Sequence, residues 1–189
     1  MATTRPQNTF LPSELMFLAE DTLVTVIPRQ AMDPVELIGM RTPKLSAMKR
    51  INLPLWMALV LKKQSRVNIV PPDWLEEESL QKSYEIEKRE QAFAPMPWHW
   101  LEISQALLNG AADDFQSSPA TIRALLRDIR EARQAKIRNG LEQLNESFMR
   151  MDNLGVMEVN EVRPLITKVM DELRKVNTAA NPDPMDQME

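Results

Sequence analysis

The sequence predicts an α+β chain that is predominantly α, with a small N-terminal β-containing domain followed by a C-terminal helical-bundle domain. Three observations carry this. β-Branched runs of strand length are confined to the first 71 residues. From residue 73 onward, apolar residues recur at spacings of three and four. Charge divides the chain at the same place: residues 1–71 hold nine Lys/Arg against five Asp/Glu (+4), residues 72–117 three against ten (−7), and residues 118–189 eleven against twelve (−1). The expected boundaries are 1–71 for the β-rich domain, with 1–12 flexible, and 72–176 for the helical domain. Residues 177–189, with Asn181-Pro182-Asp183-Pro184 and no apolar pattern, read as a disordered tail.

In chain order, residues 14–19 have the length of one or two helical turns. Residues 22–27 are rich in β-branched side chains and stop at Pro28, which reads as a strand. Residues 35–40 are a second strand candidate, where Gly39 marks a bulge or turn, and residues 66–70 a third, closed by Pro71-Pro72. The intervening 41–52 is basic and irregular and is expected to be an exposed loop. Leu55-Trp56-Met57-Ala58-Leu59-Val60-Leu61 follow Pro54, which suits the first position of a helix, and precede Lys62 and Lys63, which suit its C-terminal dipole. That helix is apolar on every side, so it is either an internal core helix or one completed by a partner.

Helices follow. Asp73 with Glu76 makes a capping-box-like start, and Glu76, Glu77 and Glu78 place negative charge on the first turn. This helix is expected to run to about Gln91, since Pro95 and Pro97 forbid continuation. Another runs from about Trp98 to Gly110, a residue suited to the left-handed cap. Ser118 and Pro119 open the longest helix, whose apolar residues are Ile122, Leu125 (or Leu126), Ile129 and Ala132, then Ile137, Leu141, Leu144, Phe148 and Met151. Carried over 119–151 it would span about 50 Å, more than the roughly 30 Å of a small domain. It therefore either breaks near Gly140 or projects and is covered by another chain. The last helix is expected to begin near Pro164 and presents Val162, Leu165 (or Ile166), Val169, Leu173 and Val176 at helical spacing.

Composition narrows the chemistry. The 189 residues include no cysteine, which excludes disulfides, thiolate catalysis and cysteine zinc sites and suits a reducing compartment. His99 is the only histidine, so a two-histidine metal site is excluded, and its place between Trp98 and Trp100 reads as half-buried or interfacial. The four glycines are isolated and no Gly-Lys-Ser/Thr sequence occurs, so ATP hydrolysis by this chain is not expected. The acidic runs at 76–78 and 113–114 read as solvated faces or helix starts, with no pair singled out for acid–base work or magnesium. No catalytic residue, cofactor or metal site is expected. Arg123, Arg127, Arg130 and Arg138 fall within about 80° of one helix face, a stripe able to neutralise phosphates. Asp128 and Glu131 interleave with it, so the stripe reads first as salt bridges or a partner-facing surface, with nucleic acid as the alternative. No apolar run approaches the roughly 20 residues of a membrane helix, and the N-terminus shows no secretory pattern, so a soluble chain is expected.

A series of landmarks in fixed order resembles one family. Leu15-Met16-Phe17-Leu18-Ala19-Glu20, Leu23-Val24-Thr25-Val26-Ile27-Pro28, Leu37-Ile38-Gly39, Leu53-Pro54-Leu55-Trp56-Met57-Ala58-Leu59, Pro71-Pro72-Asp73-Trp74-Leu75, Ala94-Pro95-Met96-Pro97, the stretch 122–138, and Asp152-Asn153-Leu154 with Met157-Glu158 are its members. They are similar, collinearly over 14–176, to stretches of subunit 2 of the eukaryotic GINS complex. The resemblance implies a heterotetramer of four related subunits, each with a helical and a small β domain. It further implies a non-catalytic scaffold whose partners are the three other GINS subunits, the MCM helicase ring and the RecJ-like Cdc protein. Replicative polymerase machinery would be linked indirectly, and DNA contact would be secondary. The setting would be the nucleus, in replication initiation and fork progression. Residues expected at interfaces are Leu55, Trp56, Leu59 and Trp74, then Ile122, Leu125, Arg127, Ile129, Arg130, Ile137, Leu141, Leu144 and Phe148 on the long helix, and Leu165, Val169 and Leu173 on the last.

Overall fold

A computed structural model describes residues 9–142 and 151–180 of the chain. The N-terminal part opens on helix α1 (Pro12–Ala19) and strand β1 (Leu23–Pro28), followed by a hairpin of β2 (Glu36–Leu37) and β3 (Met40–Arg41). Strand β4 (Ile51–Pro54), helix α2 (Leu55–Lys63) and strand β5 (Val67–Ile69) complete it. β1 is the centre of an antiparallel sheet ordered β4-β1-β5. Its period of two sends Val24 and Val26 into the core, where Leu53 and Ile69 stand opposite them. On the other face Thr25 donates a hydrogen bond to Asn52 Oδ1 at 3.0 Å.

The stretch 41–52 is largely the exposed, irregular segment that its basic composition predicts, but it is pinned at its ends and middle. It begins in β3, pairs Leu45 with Met32 in an isolated bridge, and ends in β4. Leu45 and Leu53 are buried anchors in this stretch and its continuation, while the lysines and arginines between them point to solvent. Two apolar anchors are enough to fix a register, and net charge conceals them. The N-terminal margin differs from expectation, because residues 9–12 are fastened. Phe10 N donates to Asn160 Oδ1 at 2.8 Å, and Asn160 Nδ2 donates back to the Phe10 carbonyl at 3.0 Å.

The second part consists of α3 (Glu77–Arg89), α4 (Trp100–Gly110), α5 (Pro119–Glu142) and α6 (Val156–Ala180), with 3-10 turns at Asp73–Leu75 and Ala112–Asp114. The predicted start at Asp73 divides in two. Glu76 is extended (ψ 149°), so Asp73 belongs to the 3-10 turn and caps nothing on α3. α5 runs through Gly140 without a break to Glu142. Leu144 and Phe148 lie outside the described residues.

α6 begins eight residues before Pro164, which sits inside it. Proline there removes one bond, to the Asn160 carbonyl, yet the start is fixed elsewhere. Val156 N donates to the Trp98 carbonyl, and Glu158 Oε2 accepts from Gly155 N at 2.7 Å. Gly155 is needed because a Cβ would fall 2.8 Å from the Trp100 indole. The same helix continues to Ala180, so 177–180 are helical rather than tail.

One hydrophobic core joins the two parts. Val26 and Leu53 from the sheet, Leu55 from α2, Trp100 and Leu107 from α4 and Ile129 from α5 belong to the same buried cluster. Full burial of such a side chain contributes about 1.5–3 kcal/mol. That decides the two readings of the apolar helix: Leu55, Met57 and Ala58 are buried within the chain, so α2 is an internal core helix.

Candidate functional site

A buried charge network links α3, α5 and α6, and it is structural. Arg133 on α5 is fully buried and uses all five of its N–H donors. Nε donates to Glu158 Oε1 (2.7 Å) and Nη2 to Glu158 Oε2 (2.9 Å), a bidentate pair with the first turn of α6. The other Nη2 hydrogen goes to the Asn153 carbonyl (2.6 Å). Nη1 reaches Glu87 Oε1 on α3 (2.6 Å) and the Ala94 carbonyl (3.2 Å). Lys136 donates to Glu87 Oε2 at 2.6 Å, so two cations meet two carboxylates and the cluster is neutral. Burial pulls the Arg133 pKa down, but the bonds and charge of Glu158 and Glu87 outweigh that and hold it above its ordinary value. The guanidinium also stands over the Phe93 ring at 4.9 Å. Sequence reading passed over Arg133, although it continues the 4-3-4 spacing of Ile122, Leu126 and Ile129 on the buried face of α5.

A second clamp joins the sheet side to the helical side. Lys62, at the end of α2, is nearly buried and meets Asp113 Oδ2 (2.7 Å) and Asp114 Oδ1 (2.8 Å), while Asp114 Oδ2 accepts from Ile69 N on β5 (2.7 Å). The acidic pair 113–114 lies in a 3-10 turn with Asp113 exposed, as expected of a solvated helix start, and it also anchors a lysine. Burial lowers the Lys62 pKa, and the two aspartates raise it further than burial lowers it. The Lys62 hydrogen bond holds Asp113 below the usual carboxylate range. Among the described residues no group of three or more His, Asp or Glu side chains is arranged to hold a metal ion.

Glu102 on α4 is the unsatisfied member of the acidic set. It is 1% exposed, and neither carboxylate oxygen has a hydrogen-bond partner. Burial pushes its pKa up, the residue's own N–H partly opposes this, and the charges of Glu158 and Glu161 add to the rise. A raised folded-state pKa means the fold favours the protonated acid. The associated stability is complete below the unfolded-state pKa and disappears as pH rises through the folded one. Glu102→Gln is therefore expected to match the wild type in acid and to melt higher near neutral pH. The difference should be read at roughly 2–4 °C per kcal/mol for a chain of this size. Thermal melts between pH 4 and 8 check it, and curves that stay parallel would contradict it.

The arginine stripe of α5 is engaged inside the chain. Arg123 donates to the Leu108 carbonyl (2.8 Å), Arg130 pairs with Glu161 on α6 (2.6 Å), and Arg138 bonds the Gln134 carbonyl (3.2 Å). Arg127 is the looser member, 69% exposed, with Asp128 and Glu131 at 3.5 and 3.9 Å.

Of the other expected interface residues, Leu55, Ile122 and Ile129 are core residues of this chain, fully buried and out of reach of a partner. Their helical spacing is that of a buried face, and spacing does not distinguish an internal core from an intermolecular one. Trp56, Leu59, Trp74 and Leu125 are partly buried and pack against the same core. Ile137 and Leu141 are half-buried on the far half of α5. Leu165 is 50% exposed, with Val169 and Leu173 half-buried along the same face of α6 and Val176 exposed beyond them. A further apolar face lies on and before α1, where Phe10, Leu11, Phe17 and Leu18 are exposed and Phe10, Phe17 and Leu18 line a hollow of about 280 Å³.

Comparison with known proteins accords with this layout. The family described as the PSF2 N-terminal domain matches residues 11–70, and the GINS complex protein helical bundle domain matches residues 74–177. A Debaryomyces hansenii protein named DNA replication complex GINS protein PSF2 is 45% identical over 176 residues, covering 93% of this chain and 85% of the relative. The Schizosaccharomyces pombe protein of that name is 43% identical, over 88% of this chain and 91% of its own length. The Saccharomyces cerevisiae one is 36% identical, over 92% and 90%.

Proposed function

Because this chain belongs to the PSF2 family of GINS complex subunits in DNA replication, we propose that it works as a non-catalytic scaffold, assembled with the three other GINS subunits. The observation that carries the proposal is the apolar face of α6. Leu165, Val169, Leu173 and Val176 run along a helix of 25 residues whose second half has little to pack on among the described residues. Apolar surface gains about 25 cal/mol per Å² when taken from water, and obligate interfaces commonly bury roughly 2,000 Å² or more. A sister subunit covering α6, and a second contact on the α1 face, would supply that burial. In this reading the assembled complex joins the MCM ring and the RecJ-like Cdc protein in the replicative helicase, in the nucleus. The ring supplies ATP hydrolysis, and replicative polymerase is linked indirectly.

Charge placement supports a scaffold role, since the buried Arg133 and Lys62 clusters tie elements to one another. Co-expression with and without the other three subunits tests the proposal. A single assembly of one copy each is expected when all four are present. A soluble, unassociated monomer under both conditions would overturn it. A nucleic-acid reading built on the α5 stripe is not favoured, because three of its four arginines are bound within the chain.

A further inference from the structure

A different set of cations is unspent, and topology gathers it at one end of the sheet. β4 and β5 are both antiparallel to β1, so their first residues lie beside the last residues of β1. Arg29 N bonds the Arg66 carbonyl (2.9 Å), and Met48 N, next to Lys49 and Arg50, bonds the Pro28 carbonyl (2.9 Å). From that end the chain leaves as a two-stranded ribbon. The ribbon is held by Met32 with Leu45, by the Val35 carbonyl with Thr42 N (2.9 Å), and by the β2–β3 pair. Lys44 and Arg41 lie on its returning strand. Its tip is Ile38-Gly39, where Gly39 takes the left-handed turn conformation (φ 85°) and Ile38 is fully exposed beside exposed Leu37.

Positive charge is in excess on this end. Arg29, Arg41, Lys44, Lys49, Arg50 and Arg66 are all exposed, and among the described residues none of them forms an ion pair. Arg29 donates to Asn68 Oδ1 and Arg66 to the Met32 sulfur, both neutral acceptors. Only Asp33 and Glu36 are acidic on the ribbon itself, and Asp113, whose charge interacts with Arg29, is already held by Lys62. The whole chain carries a net charge of −4, so the part outside this end is more acidic still. The result is a positive end on a negative protein, the arrangement that orients a polyanion toward one surface.

We propose that this ribbon and its base form a nucleic-acid contact, with the six cations on phosphates and the Leu37-Ile38 tip against a groove. A DNA major groove about 12 Å wide admits a two-stranded β-ribbon, and exposed Leu or Ile side chains serve as wedges between base steps in minor-groove binders. Sequence specificity is not implied, since phosphate contacts position without reading bases.

Fluorescence anisotropy of the full chain with labelled 30-base-pair duplex, across a salt series, tests the proposal. Duplex binding is expected to fall with a log–log slope between about −3 and −5. The triple variant Lys44→Gln, Arg50→Gln, Arg66→Gln is expected to bind at least about tenfold more weakly and to flatten the slope by about 3. Leu37→Ser with Ile38→Ser should weaken binding while leaving the slope unchanged. All five positions are exposed, so melting temperatures serve as a fold control. Undiminished binding by the triple variant overturns the proposal. So does equally tight binding of a poly-glutamate peptide of matched charge, which would assign the surface to an acidic protein. The same variants carried through the co-expression experiment should still assemble, so loss of DNA binding is distinguishable from loss of the scaffold.

Discussion

Replacing Arg133 with methionine is expected to lower the folding free energy by about 3–5 kcal/mol, the range for breaking a buried ion pair on one side. The cause is what remains. Glu158 keeps its burial and loses its counter-charge, Glu87 loses one of its two cations, and the carbonyls of Asn153 and Ala94 lose their donor. Lys136 still reaches Glu87, so Glu158 is the more stranded carboxylate. Arg133→Lys should recover only part, because an ammonium has three donors on a flexible stem and five are in use. Adding Glu158→Gln to Arg133→Met should restore some of the loss by removing the unpaired charge, with Trp100 Nε1 (3.4 Å) and Gly155 N still facing the residue. Urea unfolding of the four proteins decides it. A single variant within about 1 kcal/mol of the wild type would mean water enters the cluster and replaces the guanidinium.

The second large effect is on assembly rather than folding. Leu165→Glu combined with Leu173→Glu is expected to leave the chain folded while weakening incorporation into the four-subunit complex at least about a hundredfold, equivalent to roughly 2.7 kcal/mol. Leu165 is half-exposed and Leu173 partly so, and an exposed position on a helix takes glutamate at small cost. Buried against a sister subunit, two unpaired carboxylates would each carry a desolvation penalty of several kcal/mol. Circular dichroism of the variant chain and size-exclusion profiles of the co-expressed complex separate the two readouts. Unimpaired assembly would remove this face of α6 from the interface. Loss of fold would show instead that the stripe packs within the chain.

Much of the fold is legible without coordinates because it rests on local rules. Val24, Val26 and their stop at Pro28 define a strand, and Pro119 opens the longest helix. What misleads is any place where composition speaks louder than one or two anchors. The basic run 41–52 conceals Leu45, and Pro164 suggests a helix start where a capped turn eight residues earlier already provides one. At the candidate interface, Ile129 and Leu165 have the same sequence signature, an apolar residue on a helical stripe, yet one is fully buried and the other half exposed. The arginine stripe forms the salt bridges that its spacing suggests, locally from Arg127 to Asp128 and Glu131, but the partner of Arg130, Glu161, is thirty-one residues away and no local pattern names it.

Local pattern along the chain settles the α+β class, the order of a β-containing part before a helical one, the family, and the long helix from Pro119. Each follows from periodicity, proline and capping within a few residues, or from an ordered series of motifs. Tertiary structure alone decided which charges are spent. Arg133 and Lys62 are consumed in buried clusters, while the six cations at the end of the sheet have no ion pair among the described residues. A charge finds its partner across space, at a sequence distance that no local pattern encodes, and burial multiplies the worth of that pairing.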